Sequence, residues 1–442
     1  MKAGSATIRH ARIIVAAGAA IVALAILLLS RNFNFYFDEW DFILAAPDWT
    51  WLRILQPHNE HPVVIPKLIY AALLNTVGLR AYWPYMAVLL ALHATNAFLL
   101  FELVRRRSGD LIAMAAAALM LVLGAGWENL LWAFQMTFVG SVACGLGAML
   151  ALQRMSGRRG IAAVVALTTA AILFSGIGLF FAVAVAAQMA IEKQRRRDLL
   201  WLAPLAIALA FWYVTLGRTG TPTNPPPSVT NLTTAPVYVL WGLGAAAAAI
   251  IGEGGWWGAV SLVLALASVG WSWYRRTPDA FALAIAAAAL SLYGVTALTR
   301  GQFGYDQAAS GRYVYEGAIF WLLLLSDAAA ALPWRGTWRP ALAACVFLAC
   351  FNSAALLFEF GSAKTVQMQR EGADLQALNS LRGDPCLKPN GFADALVMPQ
   401  VGSPALYYRA VDLYGDPAPK GPVADRTDYD RARQNLLFTA CR

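Results

Sequence analysis

Long apolar runs, each followed by a short polar segment, repeat along most of the chain. A helix needs roughly 20 apolar residues to cross the hydrocarbon core of a bilayer, and about eleven runs come close to that length. Their approximate bounds are 12–30, 84–104, 110–126, 136–153, 160–175, 177–191, 199–217, 256–274, 279–298, 314–332 and 340–358. The pattern predicts an all-α polytopic membrane protein.

A further apolar run, 237–251, has two interpretations. It either crosses the membrane as a twelfth span, or enters and leaves on the same face. If it does not cross, all the basic clusters fall on one side, which the positive-inside rule makes cytoplasmic. These clusters contain Lys2, Arg9, Arg12, Arg105, Arg106, Arg107, Arg154, Arg158, Arg159, Lys193, Arg195, Arg196, Arg197, Arg275, Arg276, Arg335 and Arg339.

Composition supports a membrane location. The chain is 59% hydrophobic and only 13% charged, which is too little charge to cover a soluble protein of 442 residues. Its net charge of +9 would suit nucleic acid. The basic residues, however, form short clusters between apolar runs, as topology signals do, so no nucleic-acid partner is expected.

The N-terminus has a basic start followed by an apolar run, a shape that cleaved signal peptides share. No small-x-small cleavage site precedes Arg31, so we interpret the run as an uncleaved first span. Together with an Ala-rich composition that looks bacterial, this predicts a multi-pass protein of the bacterial inner membrane with a cytoplasmic N-terminus.

The opposite, extracytoplasmic face receives the loop 31–83, the turn 127–136 and the loops 218–236 and 299–313. We predict a transmembrane domain at 1–358 and a more polar extracytoplasmic region at 359–442. Of the five cysteines, Cys386 and Cys441 lie in this region, where an oxidising compartment would allow a disulfide. The spacing alone does not establish the bridge.

The first loop opens with "NFYFDEWDFI", which places three carboxylates among five aromatic residues. These carboxylates are Asp38, Glu39 and Asp41. Ionisable groups beside a membrane are costly, so a functional role is the first hypothesis. The alternative is that they are solvated loop charges.

Farther along the same loop, "HNEHP" supplies His58, Glu60 and His61. We predict that a helix begins there, with Asn59 or His61 near its cap, and continues as an apolar surface helix that carries Lys67. The histidines could cap that helix. They could also form a metal pair with Glu60, since histidine and carboxylate are common zinc ligands.

Two more polar patches come at the outer ends of predicted spans. "GWENLLWAFQMTF" carries Glu128 and Gln135, and residues 299–320 carry Arg300, Gln302, Tyr305, Arg312 and Tyr313. Each patch could be a solvated turn or an interfacial tyrosine belt. The functional interpretation makes both patches walls of one outer cavity, in which Arg312 clamps a phosphate through two parallel hydrogen bonds.

Four of these features resemble the polytopic GT-C glycosyltransferases, a group that includes bacterial aminoarabinose transferase and the protein O-mannosyltransferases. A short N-terminus precedes the first span. An Asp-Glu pair lies in the first extracytoplasmic loop, here Asp38-Glu39. Interfacial helices follow an "HPP"-like start, here His61-Pro62-Val63, and end in a Gly-to-Arg element, here Gly78 to Arg80. An "SRY"-like element opens a late span, here Gly311-Arg312-Tyr313.

The resemblance covers about residues 1–358 and implies a GT-C-like bundle of about 11 transmembrane helices, within a range of about 10 to 13. It implies transfer of a sugar from a polyprenyl-phosphate donor to an extracytoplasmic lipid, glycan or protein, by a single inverting displacement. Asp38 is the implied base, with Glu39 and Asp41 as alternatives. The phosphate would be held by Arg312, with Lys67 and Arg300 as further candidates. The residues expected to bind substrate are His58, Glu60, His61, Lys67, Glu128, Gln135, Arg300, Gln302, Tyr305, Arg312 and Tyr313.

Two other functions fit the same topology. A transporter or flippase of lipid-linked sugars would place charges on broken helices at mid-membrane. A membrane-anchored envelope assembly protein would work through its C-terminal region. A divalent cation is the one cofactor left open.

Overall fold

The computed structural model describes residues 2–218, 228–254, 257–334 and 336–441, with side chains from residue 10 onward. The side chains of Lys2 and Arg9, the loop segment 219–227 and Arg335 lie outside this description. The chain is 78% helical, and the described residues form no strand, which confirms the all-α prediction.

The helices of the first half alternate between long apolar segments and short amphipathic ones. Their bounds are α1 Lys2–Leu29, α2 Asp38–Ala45, α3 Trp51–Leu55, α4 Val64–Thr76, α5 Trp83–Leu121, α6 Glu128–Leu131, α7 Met136–Arg154, α8 Gly157–Phe174 and α9 Gly178–Ile191. The second half continues with long helices and ends in two shorter ones. These are α10 Ala203–Trp212, α11 Val229–Ala249, α12 Trp257–Arg275, α13 Ala280–Arg300, α14 Gly311–Ala329, α15 Trp338–Ser380, α16 Pro404–Tyr414 and α17 Arg426–Leu436.

Nine helices in the described part of the chain are long and apolar enough to cross a membrane, which supports a multi-pass membrane protein. Helix α5 has 39 residues and contains two predicted spans, 84–104 and 110–126. Between them the backbone is not helical at Gly109 (φ 85°). Helix α14 is not among the nine, since it carries Arg312, Glu316 and Asp327. Helix α15 has 43 residues and passes through the predicted domain boundary at 358 without a break.

The basic clusters of several spans meet at one end of the bundle. The buried Glu102 is ion-paired with Arg12, Arg105 and Arg154. Arg107 is ion-paired with Asp279, which follows α12, and with Asp327 of α14. These contacts agree with the prediction that the clusters share one side, and we call this end the arginine face.

Helix α11 lies toward the other end. At its start, the side chain of Asn231 donates to Leu298 O and Gln302 Oε1, at 3.0 and 2.7 Å. Just beyond its end, Gly252 packs on Ser353, whose carbonyl in turn packs on Gly124. Gly124 lies at the end of the predicted span 110–126, next to the turn 127–136 that the sequence analysis places on the outer face. Both ends of α11 therefore contact the half of the bundle opposite the arginine face, although the helix is long enough to cross.

The prediction of an irregular loop over 218–236 is wrong for residues 229–236, which belong to α11. Pro236 removes one backbone donor but does not end the helix. The anchoring of Asn231 to Leu298 and Gln302 fixes where the helix begins.

The short helices α2, α3 and α4 pack on the end of the bundle opposite the arginine face, around a buried aromatic cluster. Phe35, Trp40, Tyr70 and Tyr85 have no exposed surface. The rings of Phe35 and Tyr85 meet edge to face at 4.9 Å, a favourable arrangement of aromatic pairs. Loop 31–83 is thus a folded platform.

The C-terminal region is bound to this platform by hydrogen bonds and an ion pair. Arg409 of α16 makes two hydrogen bonds to Asp48, at 2.8 and 3.0 Å. The Leu79 amide donates to Tyr414 O at 2.9 Å. At the neighbouring Gly78 (φ +70°), a Cβ would lie 2.1 Å from the same oxygen, so only glycine fits.

Within the C-terminal region, Cys386 and Cys441 form a disulfide, the bridge that the sequence spacing alone does not establish.

Candidate functional site

A cavity of about 450 Å³ opens at the end of the bundle opposite the arginine face. It is bounded by the loop-one platform, the starts of α7 and α14, the end of α13, the turn between α8 and α9, and the C-terminal region. Its lining consists of Phe37, Asp38, Asp41, His58, Asn59, His61, Val63, Phe134, Gln135, Thr137, Phe138, Ser175, Arg300, Phe303, Gln307, Arg312, Tyr313, Pro399 and Gln400.

An unusual backbone turn aims two of the three loop-one carboxylates at this cavity. Phe37 precedes α2 with φ 48° and ψ −120°, a strained conformation for a bulky residue. Asp38 and Asp41 follow one helical turn apart, and both line the cavity. Burial raises the pKa of Asp41 to about 6, with His58 opposing the shift and Asp38 adding to it.

Glu39 points the other way, into the platform, and has no exposed surface. Its carboxylate accepts hydrogen bonds from the Tyr36 amide at 2.8 Å, the Tyr70 hydroxyl at 2.6 Å and the Tyr82 hydroxyl at 3.2 Å. Burial raises the pKa of Glu39 to about 7 against the effect of these donors. It does not line the cavity, and its contacts are those of an anchor for the turn.

His58 and His61 are brought together by a tight turn, so the prediction of a helix capped by Asn59 or His61 is wrong. Their backbones exchange two hydrogen bonds of 3.0 and 2.9 Å. The two residues between them, Asn59 and Glu60, have positive φ angles of 46° and 70°, as in a type I′ turn. Helix α4 begins only at Val64.

The His61 ring lies against the turn between α8 and α9. A Cβ at Gly176 would come within 2.4 Å of its Nδ1, so the absence of a side chain there makes room for the imidazole. Burial, and then the charge of Arg300, lower the pKa of His61 to about 4. The ring is therefore neutral near pH 7 and can accept a hydrogen bond or bind a metal.

Asp38, Asp41 and His58 could hold a divalent cation. One donor atom from each lies within 4.8 Å of the others, and His58 Nε2 is 3.9 Å from Asp38 Oδ2. Two carboxylates with one imidazole suit Mn²⁺ or Zn²⁺. The predicted alternative of His58, His61 and Glu60 does not form, because Glu60 pairs with Arg300 instead.

Two arginines enter the cavity from α13 and α14. Arg300 is ion-paired with Glu60 at 3.1 Å, and Arg312 with Glu128 at 3.0 Å. The Asn129 side chain also donates to the Arg312 carbonyl at 3.0 Å. Each guanidinium is thus held by a carboxylate outside the lining, and still borders the cavity.

Of the remaining predicted residues, Gln135 and Tyr313 line the cavity, whereas Lys67, Gln302 and Tyr305 do not. The buried Lys67 ammonium donates to three backbone carbonyls at the end of α3, of which Gln56 O is the nearest at 2.7 Å. Gln302 binds Asn231. Lys67 therefore joins α4 to α3, and its charge is not directed at the cavity.

Comparison of the chain with known proteins identifies no related protein. No known protein family matches the sequence, and no curated protein or solved structure is significantly similar to it. The likeness to GT-C glycosyltransferases remains a prediction that rests on the residues themselves.

Sequence reasoning missed a further part of the lining. Thr137 and Phe138 end the motif "GWENLLWAFQMTF" but were not predicted as site residues, and Ser175 lies between two apolar runs, where a single polar residue draws no attention. Pro399 and Gln400 come from the C-terminal region, and nothing in the sequence around them indicates a site. One cavity therefore combines carboxylates, imidazoles, guanidinium groups and amides. The guanidinium groups can bind an anion, and the carboxylates and imidazoles can accept a proton.

Proposed function

We propose that this protein is a membrane glycosyltransferase that moves a sugar from a polyprenyl-phosphate donor to an extracytoplasmic acceptor, which is a lipid, a glycan or a protein. The observation that carries the proposal is that Asp38 and Asp41 share one cavity with Arg300 and Arg312. Sugar transfer from a lipid phosphate needs both chemistries, a base for the acceptor and cations for the departing phosphate.

The donor phosphate would lie between the two guanidinium groups. Arginine presents a planar set of donors that matches phosphate oxygens, and it stays charged at all relevant pH values. Glu60 and Glu128 hold Arg300 and Arg312 in place before a donor arrives. The polyprenyl chain would remain in the bilayer, since the cavity opens at the end of the membrane helices.

In the transfer step, an acceptor O–H or N–H gives its proton to Asp38 or Asp41. The acceptor atom forms a bond to the anomeric carbon of the sugar, and the bond from that carbon to the phosphate oxygen breaks. The electron pair stays on the phosphate, so the products are the glycosylated acceptor and polyprenyl phosphate. Geometry favours Asp38 and Asp41 over Glu39, whose oxygens already accept three hydrogen bonds inside the platform.

The setting that we propose is the bacterial inner membrane, with the arginine face toward the cytoplasm and the cavity outside. The disulfide between Cys386 and Cys441 supports this orientation, because such bonds persist in oxidising compartments. The partners would be the lipid-linked donor, the acceptor and the surrounding lipids.

The test uses purified protein in nanodiscs with a panel of polyprenyl-phosphate sugars, and mass spectrometry to follow loss of sugar from the lipid. We expect turnover by the wild type and a loss of at least about 100-fold in Asp38→Asn, the low end of what a general base contributes. Asp306→Asn is the matched control, since Asp306 is exposed and outside the cavity lining.

Asp41→Asn identifies which aspartate takes the proton. Full turnover in both single variants and in the double variant would contradict the proposal. A wild type that binds a donor but never cleaves it, even with candidate acceptors present, would instead favour a carrier of lipid-linked sugars.

A further inference from the structure

Three residues that line the cavity each carry a side-chain oxygen atom that is buried and has no hydrogen-bond partner. These atoms are Gln135 Oε1, Thr137 Oγ1 and Gln400 Oε1. The residues Gln135 and Thr137 are only 2% and 1% exposed. A buried polar atom without a partner costs free energy, so native proteins keep few of them, and each one calls for an explanation.

The chemistry of these atoms restricts what could satisfy them. The amide oxygens of Gln135 and Gln400 can only accept hydrogen bonds, and the Thr137 hydroxyl can accept or donate. A ligand that fits must therefore offer O–H or N–H groups. It cannot be the phosphate, which offers acceptors and is matched by Arg300 and Arg312.

Aromatic side chains border the same cavity. Phe134, Phe138 and Tyr313 are part of its lining. A sugar ring has hydroxyl groups around its rim and apolar C–H groups on its faces. Such a ligand matches both the unpaired acceptors and the aromatic lining, whereas an alkyl chain would leave all three oxygens unpaired.

We propose that Gln135, Thr137 and Gln400 form a sugar subsite that binds hydroxyl or amino groups of the lipid-linked sugar. This assignment rests on the proposed function. It adds to the anion-binding groups, Arg300 and Arg312, a subsite that determines which sugar is accepted. Because Gln400 belongs to the C-terminal region, that region takes part in sugar selection.

The experiment compares two probes, polyprenyl-phosphate hexose and sugar-free polyprenyl phosphate, by native mass spectrometry in nanodiscs. The variants are Gln135→Met, Gln400→Met and Thr137→Val, which keep side-chain size and remove the acceptor. We expect each to weaken binding of the hexose-bearing lipid about five- to tenfold, as the loss of one hydrogen bond does, and to leave the sugar-free lipid unchanged. Gln376→Met is the control, because Gln376 lies in the same part of the chain but binds Pro419 and Gly421.

The outcomes separate the two proposals. If wild type binds both lipids and the three variants keep the same preference for the hexose, the subsite is wrong while the proposed function stands. The subsite is also contradicted if the variants lose both lipids equally, since this would indicate a general disturbance of the cavity. Both proposals fail if the folded wild type binds neither sugar-free polyprenyl phosphate nor any polyprenyl-phosphate sugar of the panel.

Discussion

At the scale of single residues, neighbouring carboxylates in loop one differ because their side chains face different surroundings. Glu39 is enclosed by tyrosines, whereas Asp38 and Asp41 border the cavity. The sequence shows three acids within four positions and cannot tell which is enclosed, since that depends on Tyr70 and Tyr82 from farther along the chain. The same holds for Lys67. Its positive charge made it a candidate for binding the donor phosphate, but its ammonium group donates hydrogen bonds to backbone carbonyls.

The titration of Glu39 leads to a prediction about stability. Its pKa is raised from 4.5 to about 7 by burial, so the folded state holds this proton more tightly than the unfolded state does. The resulting stability is fully present below pH 4.5 and is lost as the pH rises through 7. The difference amounts to about 3 kcal/mol. We expect Glu39→Gln to flatten the fall in melting temperature between pH 5 and pH 8, which differential scanning fluorimetry in detergent would measure.

Glu60→Gln serves as the control for this measurement, because Glu60 is an exposed carboxylate of the same loop. A wild type and a Glu39→Gln variant with the same pH dependence would show that Glu39 is not the group responsible.

At the scale of elements, the site depends on how two short segments face each other. The first turn of α2 supplies Asp38 and Asp41, and the tight turn at Asn59 and Glu60 supplies His58. The hydrophobic periodicity did not predict how either segment is oriented. The orientation of α2 follows from the strained backbone of Phe37, and that of the turn follows from the positive φ angles of Asn59 and Glu60. The polar composition of "HNEHP" did indicate a segment of the cavity lining, since His58 and His61 lie there, but it predicted a helix start in place of the tight turn.

The facing of these two segments gives Asp38 and Asp41 a second candidate role, as ligands of a cation instead of as the base, and this role can be tested without any donor. We expect purified protein stripped with EDTA to bind one Mn²⁺ per chain, measured by electron paramagnetic resonance. Asp38→Asn and His58→Gln should each weaken binding at least tenfold, since each removes one of three protein ligands.

The control for the cation site is Glu60→Gln, which removes a carboxylate of the same turn that pairs with Arg300. Equal affinity in wild type, Asp38→Asn and His58→Gln would mean that Mn²⁺ binds elsewhere or not at all.

At the scale of the whole molecule, apolar run length predicted most of the architecture. It gave the helical class, the membrane location and the common side of the basic clusters, because bilayer thickness imposes helix length directly. It could not show that α15 continues past residue 358 to Ser380, or that α11 begins at Val229. It also could not find Pro399 and Gln400, which line the cavity although they come more than 300 residues after the platform in the sequence.

The position of α11 gives a prediction about topology. Single cysteines would be placed at Arg106, Gly254 and Asp306, in a chain whose free cysteines Cys144, Cys345 and Cys350 are replaced by serine. Since α11 has both ends in the outer half, Gly254→Cys and Asp306→Cys should react with a membrane-impermeant maleimide in whole cells. Arg106→Cys should react only after the membrane is opened. If Gly254→Cys, like Arg106→Cys, reacts only after the membrane is opened, then α11 crosses the membrane.

The contribution of Pro399 and Gln400 to the cavity also concerns the order in which the chain is made. Every membrane helix leaves the ribosome before residue 399 does, and Cys441 comes later still. During synthesis the protein can therefore be fully inserted while its cavity still lacks a wall. A chain truncated after α15 would have its carboxylates and arginines in place, yet it would meet the lipid-linked substrates that we propose with that side of the cavity open.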